Sequence, residues 1–115
     1  EQIQKDRYHA AACIQKQYGG IVVLKGTGSI IQTTEKNAFV CTKGNPAMAS
    51  AGMGDVLSGI IAGLCAQGLS LADAALCGVY VHAAAGDKVA QDLGGTGLLA
   101  SDLFDVLPYV LNSRE

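Results

Sequence analysis

The sequence predicts a single α/β domain in which a small sheet is packed with helices. Three observations carry that expectation: hydrophobic spacing that switches from helical to strand-like and back, glycines at the changeovers, and an apolar half of the composition. The chain has 115 residues, of which 50% are hydrophobic and 16% charged. That balance excludes a disordered chain and supplies a buried core without a metal or disulfide staple. One domain, residues 1–115, accounts for the length.

The elements follow in order. From Gln2 to Tyr18 the apolar residues Ile3, Ala10, Ala11, Ile14 and Tyr18 recur mostly every three or four positions, which predicts a helix stopped by Gly19-Gly20. Ile21 to Leu24 is a short, continuous apolar run rich in β-branched residues, and reads as a strand covered on both faces. Lys25-Gly26-Thr27-Gly28 turns the chain. Two further strands are expected at Ser29–Thr33 and Ala38–Thr42, separated by a polar turn at Glu35-Lys36-Asn37. Gly44 to Ser50, with Asn45-Pro46, has no period and reads as a loop. A helix is predicted over Asp55–Gln67 with Gly68 as its stop, and another over Leu71–Asp92 capped by Ser70. Gly94 to Gly97 is a joint, and Ser101 caps a last helix over Asp102–Asn112 that Pro108 bends or interrupts. The resulting order α-β-β-β-α-α-α fits helices layered on a narrow sheet.

Charge and cysteine usage narrow the function. A net charge of -2 supplies no basic field for nucleic acid or an anionic membrane. Cys13, Cys41, Cys65 and Cys77 show neither a C-x-x-C spacing nor a His cluster, so no metal site is expected and the thiols read as reduced and inert. The polar start Glu1 to Asp6 is no signal peptide, and the greasiest run, Val56 to Ala66, is too short to span a bilayer. A soluble, cytoplasmic protein is expected, and the apolar helix faces favour a homo-oligomer.

The chemistry concentrates in one stretch. Between Gly44 and Ala72 a single residue among 29 is charged, Asp55, and it follows Gly52-Met53-Gly54 at the start of an apolar helix. A helix start presents unpaired N–H groups and partial positive charge, and glycines let phosphate oxygens approach the backbone. A carboxylate there can accept the proton of a hydroxyl attacking a phosphoryl group. The plain alternative is an ordinary first-turn aspartate worth about 1 kcal/mol to the helix. No Walker A loop is present, and Ile31 stands where a Rossmann fingerprint needs its third glycine. Lys25 ends a strand, where it either contacts a nucleotide or extends to solvent. Asn45 either binds nucleotide or braces its loop. His82, on an apolar helix, reads as a satisfied packing histidine, and Asp87 and Lys88 as solvated.

The run Gly44-Asn45-Pro46-Ala47-Met48-Ala49-Ser50-Ala51-Gly52-Met53-Gly54-Asp55-Val56-Leu57-Ser58-Gly59 resembles the signature of the NAD(P)H-hydrate dehydratases, members of the ribokinase-like superfamily. The likeness extends to Leu24–Ile31, His82–Asp87 and Gly97–Leu103, in the same order. The resemblance implies the C-terminal part of a ribokinase-like α/β/α sandwich, and an enzyme that uses ADP or ATP, with Mg2+, to dehydrate hydrated NADH or NADPH. It implies nucleotide contacts at Lys25, Gly26, Thr27, Gly28, Ser29, Asn45, Gly52 and Gly54, and Asp55 as the catalytic residue facing the substrate hydroxyl. The sequence departs from the family pattern at Ala47 and Ala51, where glycine is usual, and at Ser29, Ser50 and Met53, where threonine is common. A Cβ at Ala51 would hinder any positive-φ backbone there. Two rival readings use the same residues: a ribokinase-like sugar or vitamin kinase, and a non-catalytic nucleotide-binding fragment.

Overall fold

A computed structural model describes residues 2–26, 28–34, 37–94 and 97–112. Helix α1 (Gln2–Tyr18) ends where Gly19 and Gly20 take φ of 73° and 69°, backbone that side chains resist. Strands β1 (Val22–Leu24), β2 (Ser29–Gln32) and β3 (Ala38–Cys41) form an antiparallel sheet in the order β1-β2-β3. Val23 pairs with Ile31, and Ile31 with Phe39. Helices α2 (Met53–Ala66) and α3 (Leu71–Leu93) follow, then α4 (Leu107–Leu111).

The middle strand is the one covered on both faces. Side chains alternate across a strand, so Ile30 and Ile31 point to opposite sides. Ile31 is buried with Leu57 of α2 and Ala75, Val79 and Ala83 of α3. Ile30 is equally covered, on the side where α1 packs against β1 and β2 with Ala11 fully buried. The layers are therefore α1, the sheet, then α2 and α3. A second core gathers Met53, Ala85, Val89, Leu98 and Leu103 where α3 meets the C-terminal segment.

Small residues set the helix spacing. Helix α3 buries Ala74, Ala75, Gly78, Val79, His82, Ala85, Gly86 and Val89, a stripe at three- and four-residue steps. A Cβ on Gly78 would lie 2.6 Å from Ile61 Cγ1, so α2 and α3 touch where a side chain is missing. A Cβ on Gly86 would overlap the sulfur of Met48.

Several expectations need correcting. Strand β1 is half-buried rather than covered on both faces, because among the described residues it lies at the edge of the sheet and pairs with β2 on one side. Helix α2 starts two residues before Asp55, since Gly52 at φ 86° ends the preceding loop. The last helix is two pieces: a 3-10 turn over Ala100–Leu103 and then α4. The Asp102 carboxylate accepts from the Leu99 N–H at 2.8 Å, a role the sequence reading gave to Ser101. Pro108 opens α4, where its missing N–H costs nothing, instead of interrupting a longer helix. The apolar face read into α1 is largely uncovered, with Ile14 and Tyr18 exposed. Ser70 caps α3 as expected, accepting from the Asp73 N–H. The turn at Glu35-Lys36 and the joint at Gly95-Thr96 lie outside the described residues.

Candidate active site

Two loops face each other across a cleft of about 640 Å³. The first joins β1 to β2. Gly26 at φ 153° and Gly28 at φ 70° turn the backbone there, and Arg7 of α1 donates to the carbonyls of Leu24 and Gly28 at 3.3 and 3.2 Å. One guanidinium thus ties both ends of the turn. Gly26 lies so near it that a Cβ would stand 2.9 Å from the Arg7 nitrogen. Ser29 Oγ donates to the Gly26 carbonyl at 3.4 Å.

The second loop runs from Thr42 to Ala49 and contains a 3-10 turn over Pro46–Met48. Asp87 of α3 accepts from the Gly44 N–H at 3.0 Å and from Asn45 Nδ2 at 2.8 Å. Ser50 Oγ donates to the Leu98 carbonyl at 3.0 Å and ties the loop's far end to the C-terminal segment.

Between the loops, Leu57, Val79, Ala83 and Met48 make an apolar floor, and Lys25 and Lys43 stand on the rim. The arrangement suits a ligand with a flat apolar portion and an anionic portion. His82 also lines the cleft and is only 3% exposed. Its Nε2 has no hydrogen-bond partner among the described residues. Burial, with the charge of Lys25 adding to it, pushes the imidazole from 6.5 down to about 4, against a weaker opposing hydrogen bond to the Met53 backbone. The ring is neutral at physiological pH.

Lys25, Gly26, Gly28, Ser29 and Asn45 therefore come together around one cleft, while Thr27 lies outside the described residues. Gly52, Gly54 and Asp55 do not line it. They sit at the start of α2, where Asp55 is exposed and about 200° of helix turn from Leu57 on the cleft floor. Among the described residues no hydrogen bond uses the N–H of Gly54 or Asp55, and no side chain caps the helix. The strain expected at Ala51 does not arise. No residue other than glycine has positive φ among the described residues, and Gly52 carries that conformation instead.

Sequence reasoning missed three contributors. Arg7 and Asp87 act through partners 17 to 43 positions away, which no local pattern reveals. Asp87 is half-buried and bonded, not solvated as expected, because the loop carrying Gly44 folds back over α3. His82 is buried as expected but only partly satisfied: the ring bonds to the Met53 backbone, while Nε2 has no partner among the described residues. Its position on the apolar stripe of α3 was the available signal.

The sequence profile described as NAD(P)H-hydrate dehydratase matches residues 1–109. The chain belongs to the NAD(P)H-hydrate dehydratase family. A bifunctional NAD(P)H-hydrate repair enzyme of Coxiella burnetii is 50% identical over 111 residues, covering 96% of this chain and 23% of that protein. An ADP-dependent (S)-NAD(P)H-hydrate dehydratase of Neisseria meningitidis is 38% identical, over 96% of this chain and 38% of its own length. The crystal structure of an ADP/ATP-dependent NAD(P)H-hydrate dehydratase from Bacillus subtilis, co-crystallised with ATP/Mg2+, superimposes with a TM-score of 0.86 at 33% identity. That match covers 95% of this chain and 39% of the Bacillus chain. The sequence thus spans between 23% and 39% of the length of these relatives.

Proposed function

We propose that this chain serves the ADP- or ATP-dependent dehydration of hydrated NADH or NADPH, returning the intact dihydronicotinamide. The observation that carries the reading is the pairing of a lysine-rimmed, apolar-floored cleft with an uncapped helix start bearing Asp55. The nucleotide base would lie over Leu57, Val79 and Ala83, and its phosphates would run past Lys25 to Ser29 towards the N–H groups of Gly52 and Gly54. Asn45 would hold the opposite loop.

Asp55 would take the proton of the ring hydroxyl as that oxygen bonds to the terminal phosphorus and the bond to the nucleotide's leaving phosphate breaks. The new phosphate ester is a better leaving group than hydroxide. Its departure as inorganic phosphate breaks the carbon–oxygen bond, and loss of a proton from the adjacent carbon restores the double bond. The amides at the helix start would stabilise charge building on the transferring group. Among the described residues no group of three His, Cys, Asp or Glu side chains could hold a metal, so Mg2+ would arrive on the nucleotide phosphates.

Asp55→Ala tests the assignment: turnover of the hydrate, read as recovery of NADH absorbance with phosphate release, should vanish while ADP binding by calorimetry persists. Retained turnover overturns the role of Asp55. ADP binding without any turnover by the unsubstituted chain would favour the nucleotide-binding fragment, and a stable phosphorylated product the kinase. A cytoplasmic location and a homo-oligomer complete the proposal. The cysteines are free thiols, and Tyr80, Phe104 and Tyr109 offer exposed apolar surface.

A further inference from the structure

We infer that Asp87 is a positioning residue that clamps the Gly44–Met48 loop onto helix α3, and so builds one wall of the nucleotide cleft. The inference rests on the nucleotide reading above for its ligand, but the clamp stands on geometry alone. Two donors separated from Asp87 by more than 40 residues converge on its carboxylate, the Gly44 N–H on Oδ2 at 3.0 Å and Asn45 Nδ2 on Oδ1 at 2.8 Å. Both oxygens are used, one per donor, which fixes the direction of the loop as well as its distance. Hydrogen bonds to a carboxylate are about twice as strong as neutral ones.

The neighbouring residues of α3 continue the same template. Gly44, at φ 114°, lies against Ala83, where even its own Cβ would stand 3.8 Å from the alanine's. One turn along, Gly86 opens the space that Met48 fills. The segment His82-Ala83-Ala84-Ala85-Gly86-Asp87 therefore presents, in order, a cleft-lining imidazole, a small contact for Gly44, a hollow for Met48 and an acceptor pair. Asn45, by the same bonds, spends its amide nitrogen on the loop brace. Asp87 does not line the cleft; it acts through Gly44 and Asn45, which do line it.

A charge swap tests the clamp. Asp87→Asn offers only one acceptor and sets an amide N–H against a donor. Asn45→Asp sets two carboxylates against each other. In the double variant the carboxylate sits on the loop and the amide on α3, so the amide oxygen can accept from Gly44 while its N–H donates to the loop carboxylate.

Two readouts are needed on the 115-residue chain: amide hydrogen exchange and ADP affinity by calorimetry. Each single variant should speed exchange across residues 44–49 and weaken ADP binding, each by about tenfold, the value of one charge-assisted bond. Exchange within the middle of α3 should hold, and the double variant should recover most of both losses. Unchanged exchange in Asp87→Asn, or no recovery in the double variant, overturns the clamp. If the unsubstituted chain fails to bind ADP, the nucleotide reading fails, and the exchange arm still decides the clamp. If exchange responds but ADP affinity does not, the clamp holds the loop without shaping the site, and the positioning role is overturned.

Discussion

Acid should unfold this protein partly through one side chain. His82 is buried between α3, the start of α2 and the cleft, and its imidazole is held from 6.5 down to about 4, first by burial and then by Lys25. In the unfolded chain the ring protonates near its ordinary value; in the folded chain it resists. Its stabilising contribution is therefore complete above about pH 6.5 and drains away as the pH falls towards 4. Each pH unit between the two values is worth about 1.4 kcal/mol, so the full loss is on the order of 3 kcal/mol. For a domain of this size that is a large share of a total stability of about 5–15 kcal/mol. Urea unfolding followed by circular dichroism, at steps between about pH 7 and pH 4, measures it. His82→Gln fills similar space and does not titrate in that range. The difference between the two stability curves isolates the ring from the carboxylates and from exposed His9, which both proteins share. Unfolding free energies that fall in parallel would refute the reasoning, because a ring with an ordinary pKa in the folded state contributes no slope.

Three further substitutions probe the frame around the cleft. Arg7→Ala should cost about 1–3 kcal/mol in urea unfolding, as the carbonyls of Leu24 and Gly28 lose a charged donor, and it should weaken ADP binding. Gly78→Ala should destabilise by about 1–3 kcal/mol, since the new methyl meets Ile61 at 2.6 Å in the α2–α3 contact; an unchanged thermal midpoint would contradict that packing. Gly52→Ala must place an alanine at φ 86° with its Cβ 3.3 Å from that of Ala100, and should lose about 1–2 kcal/mol from the backbone term alone. Calorimetry of the same variant should show weaker ADP binding, because the helix start shifts with it.

The sequence was most informative where physics is local. Gly19-Gly20, Ser70 and Gly68 mark boundaries by backbone preference or a nearby hydrogen bond, and the structure uses each of them so. The β2 strand was legible because Ile30 and Ile31 sit between polar neighbours. Legibility failed where the deciding partner lay far along the chain. Strand β1 looks fully buried by composition, but its neighbours are set by sheet order, which Val22, Val23 and Leu24 do not encode. The C-terminal break came from competition: Asp102 reaches back to Leu99 and starts a 3-10 turn before the run expected to be one helix can form. In the site, the glycines and lysines around the cleft were visible as a motif. What holds them in place was not, because Arg7 and Asp87 look like ordinary helix-surface charges until the loops fold over them.

The hollow at Gly86 carries a liability. Met48 is seated there by its thioether, a soft apolar group that fills an irregular gap. Oxidation to the sulfoxide adds a polar, chiral oxygen to a space shaped for bare sulfur, so the side chain must leave the hollow. The loop would then keep the Asp87 bonds at one end and the Ser50–Leu98 bond at the other but lose the packing between them, so the cleft wall would loosen until a reductase restored the thioether.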